Sequence, residues 1–278
     1  MSNINKIIRK NSSSILLVII YASLCYPWIF PFSPPIQVGE KAQSWYNLID
    51  SLPDDATVVL GIDTGIAAWL PQDQGAVEAT ITHVFSKSGK VIIVGFSRDS
   101  PQIYRLFEQT YERVLKNKEY GVDYAFLGFI PGDETAIASI ASDIRATIST
   151  DYEGNPIDSL PILDDVNSAV DWDIYIDVSG SVTTSEAKIR QVNTVYGTLM
   201  GTVGAGGQFL EPYYPTQIKG LLYPNPGASA EYEKLLNAPA SASARMGILY
   251  ITGVLLFGVF FVAGIGRLVE PYLSKGGQ

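Results

Sequence analysis

Residues 246–269 read MGILYITGVLLFGVFFVAGIGRLV, an apolar run with no acidic residue and a single basic one, Arg267. A helix needs about 20 apolar residues to cross a hydrocarbon layer, and this run exceeds that length. A buried core helix is the competing reading, but a core helix keeps a polar side and this run is apolar all round. The sequence therefore predicts a membrane-spanning helix over 246–269, and the rest of the chain has to be built around an anchor. Gly247 and Gly258 stand eleven residues apart, as do Gly253 and Gly264, so each pair recurs on nearly one face of a helix. Such faces let another helix approach closely, which makes these four glycines candidate helix-packing positions; glycine merely tolerated in a span is the alternative.

A second apolar run, residues 15–32, reads ILLVIIYASLCYPWIFPF. Pro27 and Pro31 weaken a regular helix there, while Tyr26, Trp28, Phe30 and Phe32 suit a membrane interface. Lys6, Arg9 and Lys10 precede it with no acidic residue. A cleaved signal peptide competes with a retained anchor, but Ser23-Leu24-Cys25 is a poor small-x-small cleavage site. The basic residues place the N-terminus in the cytoplasm, and a second span returns the C-terminus there. Arg267 and Lys275 agree with that topology; Arg245, on the outer flank, opposes it. The expected plan is a cytoplasmic tail 1–14, a span 15–32, an external domain 39–236, a linker 237–245, a span 246–269 and a cytoplasmic tail 270–278, all in a cell membrane.

The segment 33–244 holds 27 acidic and 13 basic residues, a net charge of −14. Binding to nucleic-acid phosphates calls for a basic face, so a nucleic-acid role is disfavoured. Cys25 is the sole cysteine and lies in the first span, so no disulfide framework exists; His83 is the sole histidine, which excludes a multi-histidine zinc site in one chain.

Within this segment helical and strand patterns alternate. Helical spacing marks 40–52, 75–88, the stretch opened by Ser100-Pro101, 133–148 and 184–199. Short apolar runs mark strands at 57–62 (TVVLGI), 91–96 (VIIVGF), 124–129 (YAFLGF) and 173–178 (DIYIDV), with a fifth near Thr202. Nearly continuous apolar strands separated by helices are what a parallel sheet covered on both faces requires. The expected fold class is α/β, a Rossmann-like three-layer domain with a mainly parallel sheet flanked by N- and C-terminal transmembrane helices. The glycine-, proline- and tyrosine-rich stretch after Met200 reads as an irregular layer ending in a short helix at 228–236.

Polar residues at the carboxyl ends of these strands form the candidate ligand pocket: Asp63, Arg98, Glu134, Asp177 and Ser179. Within DIYIDVSGSVTTSE, the spacing Asp177-x-Ser179-x-Ser181 is similar to the one by which von Willebrand A domains present an aspartate and two serines to a divalent cation. In that family the motif follows the first strand, whereas here it follows the fourth with too little chain left to complete the sheet, so the family assignment fails. The residue types still suit Mg²⁺ or Ca²⁺, which makes Asp177, Ser179 and Ser181 candidate metal ligands. In the alternative they cap the next helix and satisfy its loop, and Asp177→Ala would then cost about 0.5–2 kcal/mol. Asp63-Thr64-Gly65 is similar to the aspartic-protease loop, but that loop belongs to an all-β fold. No phosphate-binding or nucleophile-elbow motif is present, and Gly204-Ala205-Gly206-Gly207 follows no clear strand.

Residues 118–132 (KEYGVDYAFLGFIPG), 150–163 and 217–236 resemble a group of prokaryotic membrane-anchored proteins with Rossmann-like outer domains. The resemblance implies architecture and carries no activity. The expected function is a membrane-anchored extracytoplasmic binding or scaffold domain, an accessory subunit whose partners are the lipid bilayer and other membrane subunits or itself, with no cofactor. The alternatives are a metal-dependent hydrolase or transferase using the strand-end carboxylates, and a metal-dependent adhesion module. A shared metal site demands that Asp63 and Asp177 reach one pocket.

Overall fold

A computed structural model describes residues 12–29, 35–204, 207–223 and 225–275. Its helices include α1 (Ser12–Ile29), α2 (Glu40–Asp50), α3 (Gln74–Ser86), α4 (Ser100–Thr110), α5 (Glu112–Leu115), α6 (Asp133–Ser142), α7 (Ile144–Thr147), α8 (Val182–Lys188), α9 (Pro226–Leu235) and α10 (Ser241–Lys275), besides the short turns Ile66–Ala68 and Gly207–Leu210. Its strands are β1 (Thr57–Asp63), β2 (Lys90–Gly95), β3 (Tyr124–Phe129), β4 (Ile174–Ser179), β5 (Met200–Gly204) and β6 (Gly220–Leu222). Residues Ile36–Ala242 form one compact unit and the two terminal segments another.

In the unit Ile36–Ala242 all six strands run parallel in the order β3-β2-β1-β4-β5-β6. The architecture is α/β and Rossmann-like, as the apolar strands and intervening helices require. Alternate residues feed two cores. Val58, Leu60, Ile62, Ile174, Ile176 and Val178 pack with Trp45 and Ile49 of α2 and Phe107 of α4. Val59, Ile92, Val94, Tyr175 and Met200 pack with Ile137 and Ile140 of α6 and with Val192 beyond α8. Both faces are thus covered, so a polar side chain on a strand is removed from water unless it reaches the sheet's edge.

Several elements depart from the sequence-based expectation. The helix expected over 133–148 breaks at Asp143, whose carboxylate accepts the Ala146 N–H at 2.8 Å and caps α7 instead. The helix expected over 184–199 starts at Val182, continues after Lys188 as the π-helix Ile189–Thr194, and stops short of Leu199. The strand expected near Thr202 is β5 and the short helix expected at 228–236 is α9, but the stretch between them, expected to be irregular, also supplies β6, only Gly220-Leu221-Leu222 and too short an apolar run for periodicity to register. A turn at Ile66–Ala68 and the π-helix Trp69–Asp73 lead without interruption into α3.

The window Ser241–Phe261 of α10 has a mean hydropathy of 1.8, and among the described residues it is the one stretch long and apolar enough to cross a membrane. This supports membrane association. Val254, Phe257, Phe260 and Phe261 are exposed, and Gly253 and Gly258 have open space where a side chain would stand; Gly247 is buried. The helix starts at Ser241, inside the expected linker 237–245. α1 passes through Pro27 without ending, and residues 30–32 of the expected first span lie outside the described residues, as do 1–11 and 276–278 of the expected tails.

Candidate functional site

The strand order reverses between β1 and β4: the chain first builds outward through β2 and β3, then returns to the other side. Loops leaving two such strands diverge, and ligands of doubly wound folds bind in the crevice they open. The register sets Gly61 opposite Asp177 and Asp63 opposite Ser179. The structure thereby brings Asp63 and Asp177 together, through a residue that the motif reading did not include. Lys188, at the end of α8 and fully buried, places its Nζ 2.8 Å from Asp63 Oδ2 and 2.8 Å from Asp177 Oδ1. The two carboxylate oxygens therefore lie no more than about 5.6 Å apart, each held to the same ammonium. Ser185, one turn earlier on α8, donates its hydroxyl to Asp177 Oδ2 at 2.5 Å, and the Lys188 ammonium also stands over the Phe96 ring.

Burial pushes the Asp177 carboxyl up, opposed by Lys188 and Ser185. The neighbouring residues are shaped around this group. The Tyr175 hydroxyl lies over Gly61, where a Cβ would come within 1.8 Å of it, so only glycine fits opposite Asp177. Burial and the two aspartates push the Tyr175 hydroxyl well above the usual phenol range. Thr202 of β5 is paired in register with Asp177, is fully buried, and its hydroxyl has no partner among the described residues. Asp73, at the end of the π-helix, is 1% exposed; its Oδ2 accepts the Thr64 hydroxyl at 2.8 Å, while its Oδ1 has no partner among the described residues. Burial, with a smaller contribution from Asp177, pushes Asp73 up to about 7.

The other sequence candidates do not join this cluster. Ser179 donates to the Ser181 carbonyl at 3.0 Å, accepts the Ser181 N–H and pairs with the Thr184 hydroxyl at 2.6 Å, so it orders its own loop. Ser181 is exposed at the start of α8 and makes no side-chain capping bond. Glu134 binds Arg190 at 2.7 and 3.0 Å and Gln191 at 2.8 Å, joining α6 to the π-helix Ile189–Thr194; Arg190 holds the carboxyl down to about 2. Arg98 is exposed and has no ion pair among the described residues. Its neighbour Asp99 accepts the Ile66 N–H at 2.9 Å. Away from the crevice, the lone histidine is structural, with His83 Nδ1 2.9 Å from the Tyr232 hydroxyl.

A divalent cation at the strand edge would need Asp177, Ser179 and Ser181 oxygens converging on one point. Asp177 instead turns both oxygens to Lys188 and Ser185, and Ser179 is committed to its loop. The ammonium stands between the carboxylates where such a cation would have to sit, so the donor set does not fit Mg²⁺ or Ca²⁺. Among the described residues no group of three or more His, Cys, Asp or Glu side chains is placed to hold a metal.

Two central residues, Lys188 and Asp73, were missed by sequence reasoning. Lys188 did leave a signal: it falls in the stripe Ser185, Lys188, Ile189 and Val192, the positions that face inward. A lysine in an apolar stripe has to find a buried anion. Asp73 left none, because Leu70-Pro71-Gln72-Asp73 reads as loop. Comparison with protein-family models and with curated proteins returned no match.

Proposed function

We propose that this chain is a membrane-anchored extracytoplasmic binding or scaffold domain that serves as an accessory subunit of a membrane assembly. The observation that carries the reading is Lys188, whose ammonium pairs with both strand-edge carboxylates from inside the fold. Charged groups at a catalytic edge are held ready for substrate; here Asp63 and Asp177 are held by one buried ammonium, which orders the crevice. α10 supplies the anchor, and its exposed Gly253 and Gly258 leave room for a partner helix. In the proposed topology α1 is a second span, both termini are cytoplasmic, and Ile36–Ala242 is outside. The resemblance to membrane-anchored proteins with Rossmann-like outer domains is in keeping with this plan. Native mass spectrometry of the detergent-solubilised full chain tests the assembly: a co-purifying membrane subunit or a discrete homo-oligomer is expected, and a strict monomer with no partner would refute it. Topology is tested separately by a cysteine at Asn155, which should react with an impermeant reagent on intact cells, and by a reporter after Gln278, which should be cytoplasmic.

A further inference from the structure

The buried carboxylate of Asp73 and the start of the apolar helix are joined by one uninterrupted element. Asp73 closes the π-helix Trp69–Asp73, and α3 continues from Gln74. Immediately beyond, Gly75 lies against Ala242 so closely that an added Cβ would stand 2.9 Å from the alanine's own. One turn further, Glu78 Oε2 accepts the Ser241 hydroxyl at 2.6 Å. Glu233 of α9 completes the clasp, its two carboxylate oxygens each accepting a backbone N–H at 2.9 Å, from Ala240 and Ala242. Ala240 immediately precedes α10 and Ala242 lies in its first turn, whose amides a helix cannot satisfy internally.

The π-helix gives this element two possible registers. A π-turn holds one residue more than the α-turn it could become, and such turns are frequent at functional sites. Two buried polar atoms of this π-segment, Trp69 Nε1 and Asp73 Oδ1, four residues apart, are without a partner among the described residues. We propose that the π-helix and α3 form a proton-operated coupling device, in which ionisation of Asp73 at the crevice loosens the Glu78–Glu233 clasp on the start of α10. The charged and hydroxyl groups facing Asp73 are Thr64 from the loop after β1 and Asp177 from β4, with Lys188 and Asp63 behind the latter. Those facing Glu78 are Ser241, Glu233 and, at 3.8 Å, Arg113 of α5. Ionised Asp73 is a buried anion beside Asp177, and its relief is local opening of the segment that carries it. The proposal needs no ligand and does not depend on which partner the domain binds.

The sign follows from linkage. Asp73 titrates near 7 when the segment is closed and near its ordinary 3.8 when it is open, so the closed state binds the proton more tightly. Closure is favoured at acidic pH, weakens as pH rises towards 7, and changes little above; between pH 6 and pH 8 its equilibrium falls by up to about tenfold. The test is hydrogen–deuterium exchange of the full chain in lipid nanodiscs, followed at residues 238–244 and corrected for intrinsic exchange rates. The wild type should lose up to about tenfold of its protection there across that interval. Asp73→Asn, which keeps an acceptor for Thr64 but cannot ionise, should abolish the dependence. His83, also on α3 and held below its ordinary value by burial, and Glu78 in the clasp itself, pushed up by burial, are both unchanged in that variant, so a dependence that survives it belongs to them. A wild type with flat protection, or an Asp73→Asn protein that keeps the dependence, would overturn the proposal. If Asp73→Asn fails to fold, Thr64→Val, which removes the hydroxyl that favours the anion, should move the wild-type transition to higher pH; an unmoved transition counts equally against it.

Discussion

Replacing Lys188 by methionine keeps most of the side chain's length and removes only its charge and donors. The ammonium is fully buried between Asp63, whose side chain is 16% exposed, and Asp177, which has no exposure. Asp63 can rehydrate once released; Asp177 cannot, and retains only the Ser185 hydroxyl. Removing one partner of such a buried pair costs about 3–5 kcal/mol, because the remaining charge is stranded. For a domain of this size each kcal/mol lowers the melting temperature by about 2–4 °C, so a fall of about 10 °C is expected. Thermal unfolding followed by circular dichroism measures it, and a double-mutant cycle with Asp177→Asn isolates the pair. Neutralising the stranded aspartate should recover part of the loss, with a coupling of about 1–3 kcal/mol. A Lys188→Met protein destabilised by less than about 1 kcal/mol, or a strictly additive cycle, would show that this ammonium does not hold the crevice together.

Asp177→Ala should likewise cost about 3–5 kcal/mol, more than a helix cap is worth, and the loss should be the same with and without millimolar Mg²⁺ or Ca²⁺. A metal-dependent rise in the wild-type melting temperature that this variant loses would restore the cation reading. Asp73→Asn should leave stability nearly unchanged at pH 4 and raise it by about 2–4 kcal/mol at pH 8, since the penalty of a raised carboxyl grows from its unfolded pKa and is complete above about 7; denaturant titrations at the two pH values decide it. Gly61→Ala drives a methyl into the Tyr175 hydroxyl and should cost about 1–3 kcal/mol; adding Tyr175→Phe should return only part of it, because the ring carbon Cζ would still lie 2.6 Å away.

The strands were legible because a strand covered on both faces is apolar throughout: Val58 to Ile62 and Ile174 to Val178 each stand out against their neighbours. The location of Asp63 followed from the same pattern, since a polar residue ending an apolar strand falls at the sheet's edge; Asp177 lies two residues inside the end of β4 and is wholly buried. What the two carboxylates do there was not legible. Their partner is more than a hundred residues from Asp63 and looks like any surface lysine until its place in the inward stripe is considered. Oxygen-rich spacing suggested a metal because sequence shows the anions and not the cation that the fold supplies. Glu134 illustrates the opposite error, for its loop is equivalent to the others but Arg190 had already taken it. The start of α10 was placed too late because capping amides are satisfied by Glu233, which precedes the helix on another element.

The pairing of β1 with β4 also has a consequence for how the chain is made. Lys188 and Asp63 are 125 residues apart in sequence, and the strands they join form the middle of the sheet. Until β4 and α8 have been synthesised, β1 presents an unpaired edge beside a bare hydrophobic face, the kind of surface that recruits other strands. Closing so long a loop is also slow, since its entropy must be lost before any contact rewards it. A nascent chain therefore carries its centre unfinished for most of its synthesis, and fragments ending before Ile174 should aggregate rather than fold as half-domains.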